Sequence, residues 1–177
     1  NEWTGVLTGK GLSYGGSLAR TEATGFGLCY FANAQLRDNG QSFAGKRVVI
    51  SGSGNVAIYA NQKCTELGGK VIAMCDSNGY IVDEDGIDYK VMQEIKEVKR
   101  DRIKTYLNYV PTARYVEGCS GIWTVPCDIA LPCATQNEVD EASAKALIAN
   151  GCIGVFEGAN MPCTPEAITA IKSAGLL

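Results

Sequence analysis

Two glycines one residue apart and an alanine three further on, Gly52-Ser53-Gly54-Asn55-Val56-Ala57, make the pattern G-x-G-x-x-A. Such a turn can hold a pyrophosphate. Gly52 allows a tight reversal, Gly54 lets the backbone approach phosphate without a Cβ, and Ala57 lets a helix pack closely on a strand. The anion then rests at the positive end of that helix, where unpaired N–H groups point at it. An acid about 20 residues past such glycines is the usual partner of an adenosine ribose, and Asp76 stands there. Three further polar groups lie where ligands are met: Arg20, Glu22 and Thr24 at the start of an apolar-periodic run; Pro132 to Asn137 after Ile129-Ala130-Leu131; and Glu157 to Pro162 after Ile153 to Phe156. The first trio is equally suited to plain helix capping.

These groups need elements to place them. Val48, Val49 and Ile50 read as a strand buried on both faces, and Val56, Ala57, Ala60 and Cys64 as one face of a helix ending at Gly68-Gly69. Val71 to Cys75 closes the βαβ unit, which raises the glycine motif above a chance turn. A helix is expected from Thr21 to about Leu36, stopped by Asn39-Gly40. After the turn Asp76-Ser77-Asn78-Gly79 come a short strand, Tyr80 to Val82, and a second turn, Asp83 to Gly86. Tyr89 to Leu107 reads as one charged amphipathic helix, with a solvated basic face as the ordinary meaning of Lys96, Lys99, Arg100, Arg102 and Lys104. Trp123 to Leu131 is read as a strand fenced by Pro126 and Pro132. Asp140 should cap a helix through Ala149, and Thr164-Pro165-Glu166 open one that runs to about Ser173. Leu176-Leu177 would start one more strand.

Composition sets limits. The 177 residues, 46% hydrophobic and 20% charged, suit one globular domain. A net charge of −3 offers no basic footprint for nucleic acid or an anionic membrane. No apolar run approaches the roughly 20 residues that span a bilayer. Eight cysteines with no histidine and no C-x-x-C pair remove most zinc patterns, so no metal is expected; buried free thiols in a reducing, cytoplasmic compartment are the simpler reading. With no initiator Met, no signal pattern and a last strand just begun, the sequence reads as part of a longer chain. Its fold class is α/β: a Rossmann-like, doubly wound, mostly parallel sheet flanked by helices and truncated at the C-terminal end. Residues 1–18 are read as an interdomain linker and 19–177 as the dinucleotide-binding domain.

Five stretches occur in order: LSYGGS from Leu12, RTEATG from Arg20, SGSGNVA from Ser51, LPCATQNE from Leu131 and EGANMP from Glu157. Together they resemble the nucleotide-binding domain of the Glu/Leu/Phe/Val dehydrogenase family, in its hexameric, NADP-type, glutamate-specific branch. That resemblance covers essentially the whole chain. It implies reversible oxidative deamination of L-glutamate to 2-oxoglutarate and ammonia, by a homohexamer. It also implies roles: Thr24 and Asn55 at the nicotinamide carboxamide; Gly52, Ser53, Gly54 and Asn55 at the pyrophosphate; Asn137 and Asn160 on the nicotinamide-ribose side; Val56, Ala134 and Thr135 as further cofactor contacts; Arg20 beside the substrate. The family's catalytic Lys and Asp fall upstream of Asn1, so no catalytic residue is expected in this chain.

The cofactor is open to two arguments. Asp76 alone would accept from a ribose 2′-OH and repel a 2′-phosphate, which favours NAD. Ser77 with Lys99, Arg100 and Arg102 could instead bind that phosphate through charge-assisted bonds, as the resemblance to NADP-type members implies. A member acting on leucine, phenylalanine or valine, and a non-catalytic dinucleotide sensor, are the other readings.

Overall fold

The structure, a computed structural model, describes residues 12–14 and 16–177. Most of the linker expected over 1–18 therefore lies outside the described residues; within it, Leu12–Tyr14 is a single 3-10 turn. Six strands, β1 (Arg47–Ile50), β2 (Lys70–Cys75), β3 (Gly79–Val82), β4 (Arg114–Glu117), β5 (Ile129–Leu131) and β6 (Gly154–Val155), form one sheet in the order β4-β3-β2-β1-β5-β6. β2, β1, β5 and β6 run parallel, while β3 and β4 run antiparallel at one side. The sheet is thus mixed, with its parallel part at the centre and at the β6 edge.

Helices cover both faces because the strands alternate between two cores. Val48 and Ile50 of β1 pack with Leu28, Ala32 and Leu36 of α1 (Arg20–Asp38) and with Ala57, Ile58 and Cys64 of α2 (Asn55–Glu66). Val49 faces the other way, toward Ala144 and Leu147 of α4 (Glu141–Ala149) and Ala167 and Ile171 of α5 (Pro165–Ser173). A bulge between Val48 and Val49 on the β1–β2 ladder turns Ile72 and Ala73 onto the same face. α1 and α2 touch at Gly25, where a Cβ would lie 2.6 Å from both Ala60 N and Val56 O, so only glycine permits this crossing.

Both expected caps are present. Asp140 accepts from Ser143 N, and Thr164 accepts from Ala167 N with Pro165 directly behind it. Leu177 donates to Ile153 O and accepts from Val155 N, which lays it alongside β6 in parallel pairing.

Two expectations need correction, and one strand was not anticipated. Tyr89 to Leu107 is not one helix: α3 (Tyr89–Gln93) passes into a π turn (Glu94–Val98), the chain reverses at Arg100 with φ 55, and a 3-10 segment (Ile103–Asn108) follows. β4 carried no expectation, because as an exposed edge strand it has no apolar alternation. The strand read from Trp123 is confined to Ile129–Leu131, since Cys119–Thr124 is a 3-10 segment that buries Trp123 on the sheet.

Candidate functional site

The carboxyl ends of β1, β2, β5 and β6 share one end of the sheet, and the strand order reverses direction at β1. That is the switch point where open α/β sheets bind ligands. A cleft of about 770 Å³ opens there, lined by Gly52, Ser53 and Gly54, by Asp76 and Ser77, by Lys96 and Arg102, by Cys119, Ser120 and Trp123, and by Cys133 through Glu138. Another cleft, of about 570 Å³, lies at the β6 edge between Phe31, Ile168, Ile171 and Leu177. Gln35, Glu157 and Lys172 also line it, but no residue of the glycine loop does. The cleft that holds the glycine loop is the candidate site.

Its floor is built by close contact. Gly52 sits at φ 86, and a Cβ there would meet Ala134 Cα at 3.2 Å and Cys133 O at 3.3 Å, so both backbone and space demand glycine. Its N–H donates to Cys75 Sγ at 3.1 Å, and burial pushes the Cys75 thiol up to about 12, keeping it protonated. Gly54 is different. It caps α2 at an ordinary φ of −87, and a Cβ there would meet nothing of the protein within 4 Å. The space above it is a cradle that a side chain would fill. With α2 opening directly behind, that space fits the pyrophosphate of a dinucleotide.

The β5 and β6 loops form one wall. Gly158 N and Ala159 N donate to Pro132 O, Asn137 N to Met161 O, and Val139 N to Pro162 O. Asn137 and Met161 both adopt left-handed backbone, φ 55 and 50, to make that match. Glu138 folds back to accept from Ala134 N and Thr135 N, and its burial raises the carboxyl above the usual range. Ser51 Oγ accepts from Cys133 N, tying the wall to the glycine loop.

The opposite rim is built from side chains. Asp76 Oδ1 accepts from Asn78 N at 2.8 Å and Gly79 N at 3.3 Å, and Oδ2 accepts from Ile103 N at 3.0 Å. The carboxylate is therefore committed to backbone on both oxygens. Arg102 Nη1 donates to Ser77 Oγ at 2.9 Å, and Lys96 Nζ donates to Asp101 O at 2.8 Å, which sets two cations at this end. Farther along, the buried Tyr106 hydroxyl donates to Asp83 Oδ2 at 3.1 Å and fixes the 3-10 segment on β3; burial pushes that phenol up to about 12.

Among the residues singled out in the sequence, Gly52, Ser53, Gly54, Asp76, Ser77, Arg102, Ala134, Thr135 and Asn137 come together in the cleft. Asn55 and Val56 follow directly as the first turn of α2. Arg20 and Thr24 lie on the first turns of α1, whose Gly25 rests on Val56 O; Asn160 is exposed on the β6 loop, whose Gly158 packs between Cys133, Leu28 and Val56. Those three residues lie outside the cleft lining. α1 starts behind Ala19, which has no capping side chain.

Lys99 and Arg100 do not line the cleft. Lys99 Nζ donates to the Tyr109 hydroxyl, and Arg100 is the left-handed residue at the break. Lys96, at the middle of the π turn, lines the cleft with Arg102. Glu138 also went unread. Its position three residues after Thr135, in a loop with free amides, was the only signal. No cluster of His, Cys, Asp and Glu among the described residues could hold a metal ion, and no helix there is long and apolar enough to cross a membrane.

Comparison with known proteins places the chain in a family. The profile of the Glutamate/Leucine/Phenylalanine/Valine dehydrogenase family matches residues 15–177. The chain is 52% identical to the NADP-specific glutamate dehydrogenase of Helicobacter pylori over 174 residues, covering 95% of this chain and 39% of that protein. It is 51% identical to that of Escherichia coli, covering 97% and 39%. The crystal structure of Plasmodium falciparum glutamate dehydrogenase superposes with a TM-score of 0.91 at 46% identity, covering 99% of this chain and 38% of that one. The chain spans about two fifths of the length of the curated relatives it matches.

Proposed function

The chain belongs to the Glu/Leu/Phe/Val dehydrogenase family, and from that membership we propose that it is the dinucleotide-binding part of an NADP-dependent glutamate dehydrogenase. The whole enzyme interconverts L-glutamate with 2-oxoglutarate and ammonia. Residues 19–177 form the cofactor domain, and residues 1–18 link it to the part that holds substrate. The observation that carries this reading is the cleft itself: an open glycine cradle at the α2 amino terminus, with Ser77 and Arg102 paired at one end.

When bound, the nicotinamide supplies or accepts the hydride. The chain's own residues bind, orient and shield it. Gly52 to Val56 hold the pyrophosphate on backbone donors. Ala134, Thr135, Asn137 and Asn160, on two loops locked to each other, face the nicotinamide ribose, while Thr24 and Asn55 orient the carboxamide. Arg20 lies on the substrate side. Ser77 and Arg102 take the 2′-phosphate, with Lys96 adding charge in place of Lys99 and Arg100. No group that moves a proton during the reaction is assigned to this chain.

NADP is favoured over NAD because the residue that argued for NAD is occupied elsewhere. Both oxygens of Asp76 accept from backbone N–H groups, so the carboxylate has less acceptor capacity left for a ribose hydroxyl. The names of the H. pylori and E. coli relatives point the same way. Eight reduced thiols suit a cytoplasmic protein. A homohexamer is the proposed assembly; six-fold assembly is supported by a hetero-hexameric relative from Thermus thermophilus at 25% identity and a TM-score of 0.82, and identity of the subunits rests on the resemblance.

Fluorescence titration of the full-length enzyme with NADPH and NADH tests the reading. NADPH is expected to bind more tightly, and Arg102→Ala to remove most of the difference. Tighter NADH binding by the unaltered enzyme would overturn it.

A further inference from the structure

Asp76 stands where a dinucleotide-binding domain normally offers a carboxylate to the adenosine ribose, yet it is turned inward. Only 9% of the residue is exposed, and its two oxygens receive three backbone N–H groups. Two of those bonds close the turn after β2. The third reaches Ile103, 27 residues on, and is the one that bears on the ligand. Arg102, immediately before Ile103, has extended backbone (φ −79, ψ 154) and donates Nη1 to Ser77 Oγ, immediately after Asp76. Residues 76 and 77 thus grip residues 103 and 102, one pair through backbone and the other through side chains.

We propose that Asp76 is a positioning residue for cofactor choice: its carboxylate anchors Ile103 so that the Arg102 guanidinium stands beside Ser77, and an acid that would repel a 2′-phosphate instead assembles the cationic end of the pocket that receives one. This rests on the NADP reading above. The corner from Ile95 to Thr105 is braced within itself by Asp101 N to Ile95 O, Lys96 Nζ to Asp101 O and Thr105 Oγ1 to Asp101 Oδ2. It moves as a unit. Its backbone is tied to the β2 turn by the Asp76 bond, while the Tyr106–Asp83 bond holds the other end of the 3-10 segment. Asn at position 76 keeps the shape but turns one acceptor into a donor facing an N–H, so one arm of the clip is lost.

The test uses the full-length enzyme titrated with NADPH and NADH in four forms: unaltered, Asp76→Asn, Arg102→Ala and the double variant. Asp76→Asn is expected to lower the preference for NADPH over NADH on the order of tenfold, the scale of one charge-assisted hydrogen bond. Arg102→Ala should do the same, and the double variant should fall no more than about twofold below Arg102→Ala, because the acid acts through the arginine. If Asp76→Asn gives no folded protein, Ile103→Pro cuts the same bond from the donor side, at a site whose preceding backbone already suits proline, and the same drop is expected. An increased NADPH preference in Asp76→Asn, an equal loss of both cofactors, or full additivity with Arg102→Ala overturns the proposal. A preference for NADH in the unaltered enzyme overturns the NADP reading instead, before any variant is compared.

Discussion

At the glycine loop each position is set by what it touches: a Cβ on Gly52 would meet the Ala134 backbone at 3.2 Å, and one on Gly25 would meet two α2 backbone atoms at 2.6 Å. At the Ser77–Arg102 rim the turn beneath is packed as tightly, a Cβ on Gly79 meeting Val116 O at 2.3 Å, but the side chains that face the cleft are set by hydrogen bonds between residues 25 and 27 apart in sequence. One end of the cleft is held by repulsion and packing, which a substitution breaks through stability. The other is held by directed bonds, whose loss shows first in ligand choice. Phosphate recognition common to all dinucleotides lies at the rigid end, and discrimination between them at the bonded end.

The largest effect should come from Gly25→Ala, the most direct challenge to the packed end. Its methyl has nowhere to go but into the α2 backbone, and a loss of about 3 kcal/mol in urea unfolding is expected. Gly52→Ala should cost about 2 kcal/mol, from its left-handed backbone and the crowding of Ala134, and should weaken dinucleotide binding as well. Gly54→Ala sharpens the distinction: unfolding should change by less than about 0.5 kcal/mol while binding falls at least about tenfold, since only the ligand needs that space. Equal stability losses at Gly52 and Gly54 would remove the argument for an open cradle. At the bonded end Arg102→Ala, an exposed residue, should shift the unfolding midpoint by less than about 0.5 kcal/mol.

The smallest effect is at Glu138. Burial raises its folded carboxyl above the unfolded value, so the native state holds more protons between the two. Stability contributed there is present at low pH and declines as pH rises through that window, then stays level. Urea midpoints measured from about pH 4 to 7 should carry this slope, and Glu138→Gln should flatten it. A midpoint that rises with pH only in the unaltered protein would contradict the assignment.

The packed end was legible in the sequence because its signals are local. Gly52, Gly54 and Ala57 are spaced by one turn and one helix contact, and the Asp140 and Thr164 caps are read within three residues. The bonded end was legible in composition but not in geometry. Ser77 and Arg102 are named from the sequence with Lys99 and Arg100, which the resemblance implies, whereas Lys96 is the lysine that lines the cleft. Apolar spacing also predicts one helix from Tyr89 to Leu107; a π turn and a left-handed arginine break it, and neither leaves a mark in that spacing. Asp76 was read by its place after β2 as a ribose acceptor. Its bond to Ile103 depends on a contact 27 residues away, beyond the reach of any window.

The two loops after β5 and β6 have a consequence in time as well as in space. Backbone bonds join Pro132 to Gly158 and Ala159, Asn137 to Met161, and Val139 to both Pro162 and Thr164. Neither loop can lift without unmaking the bonds of the other. Their amide protons at 137, 139, 158, 159 and 164 therefore exchange with solvent as one cooperative unit, at a common opening free energy, whereas the amides of the separately anchored 95–105 corner follow an opening of their own.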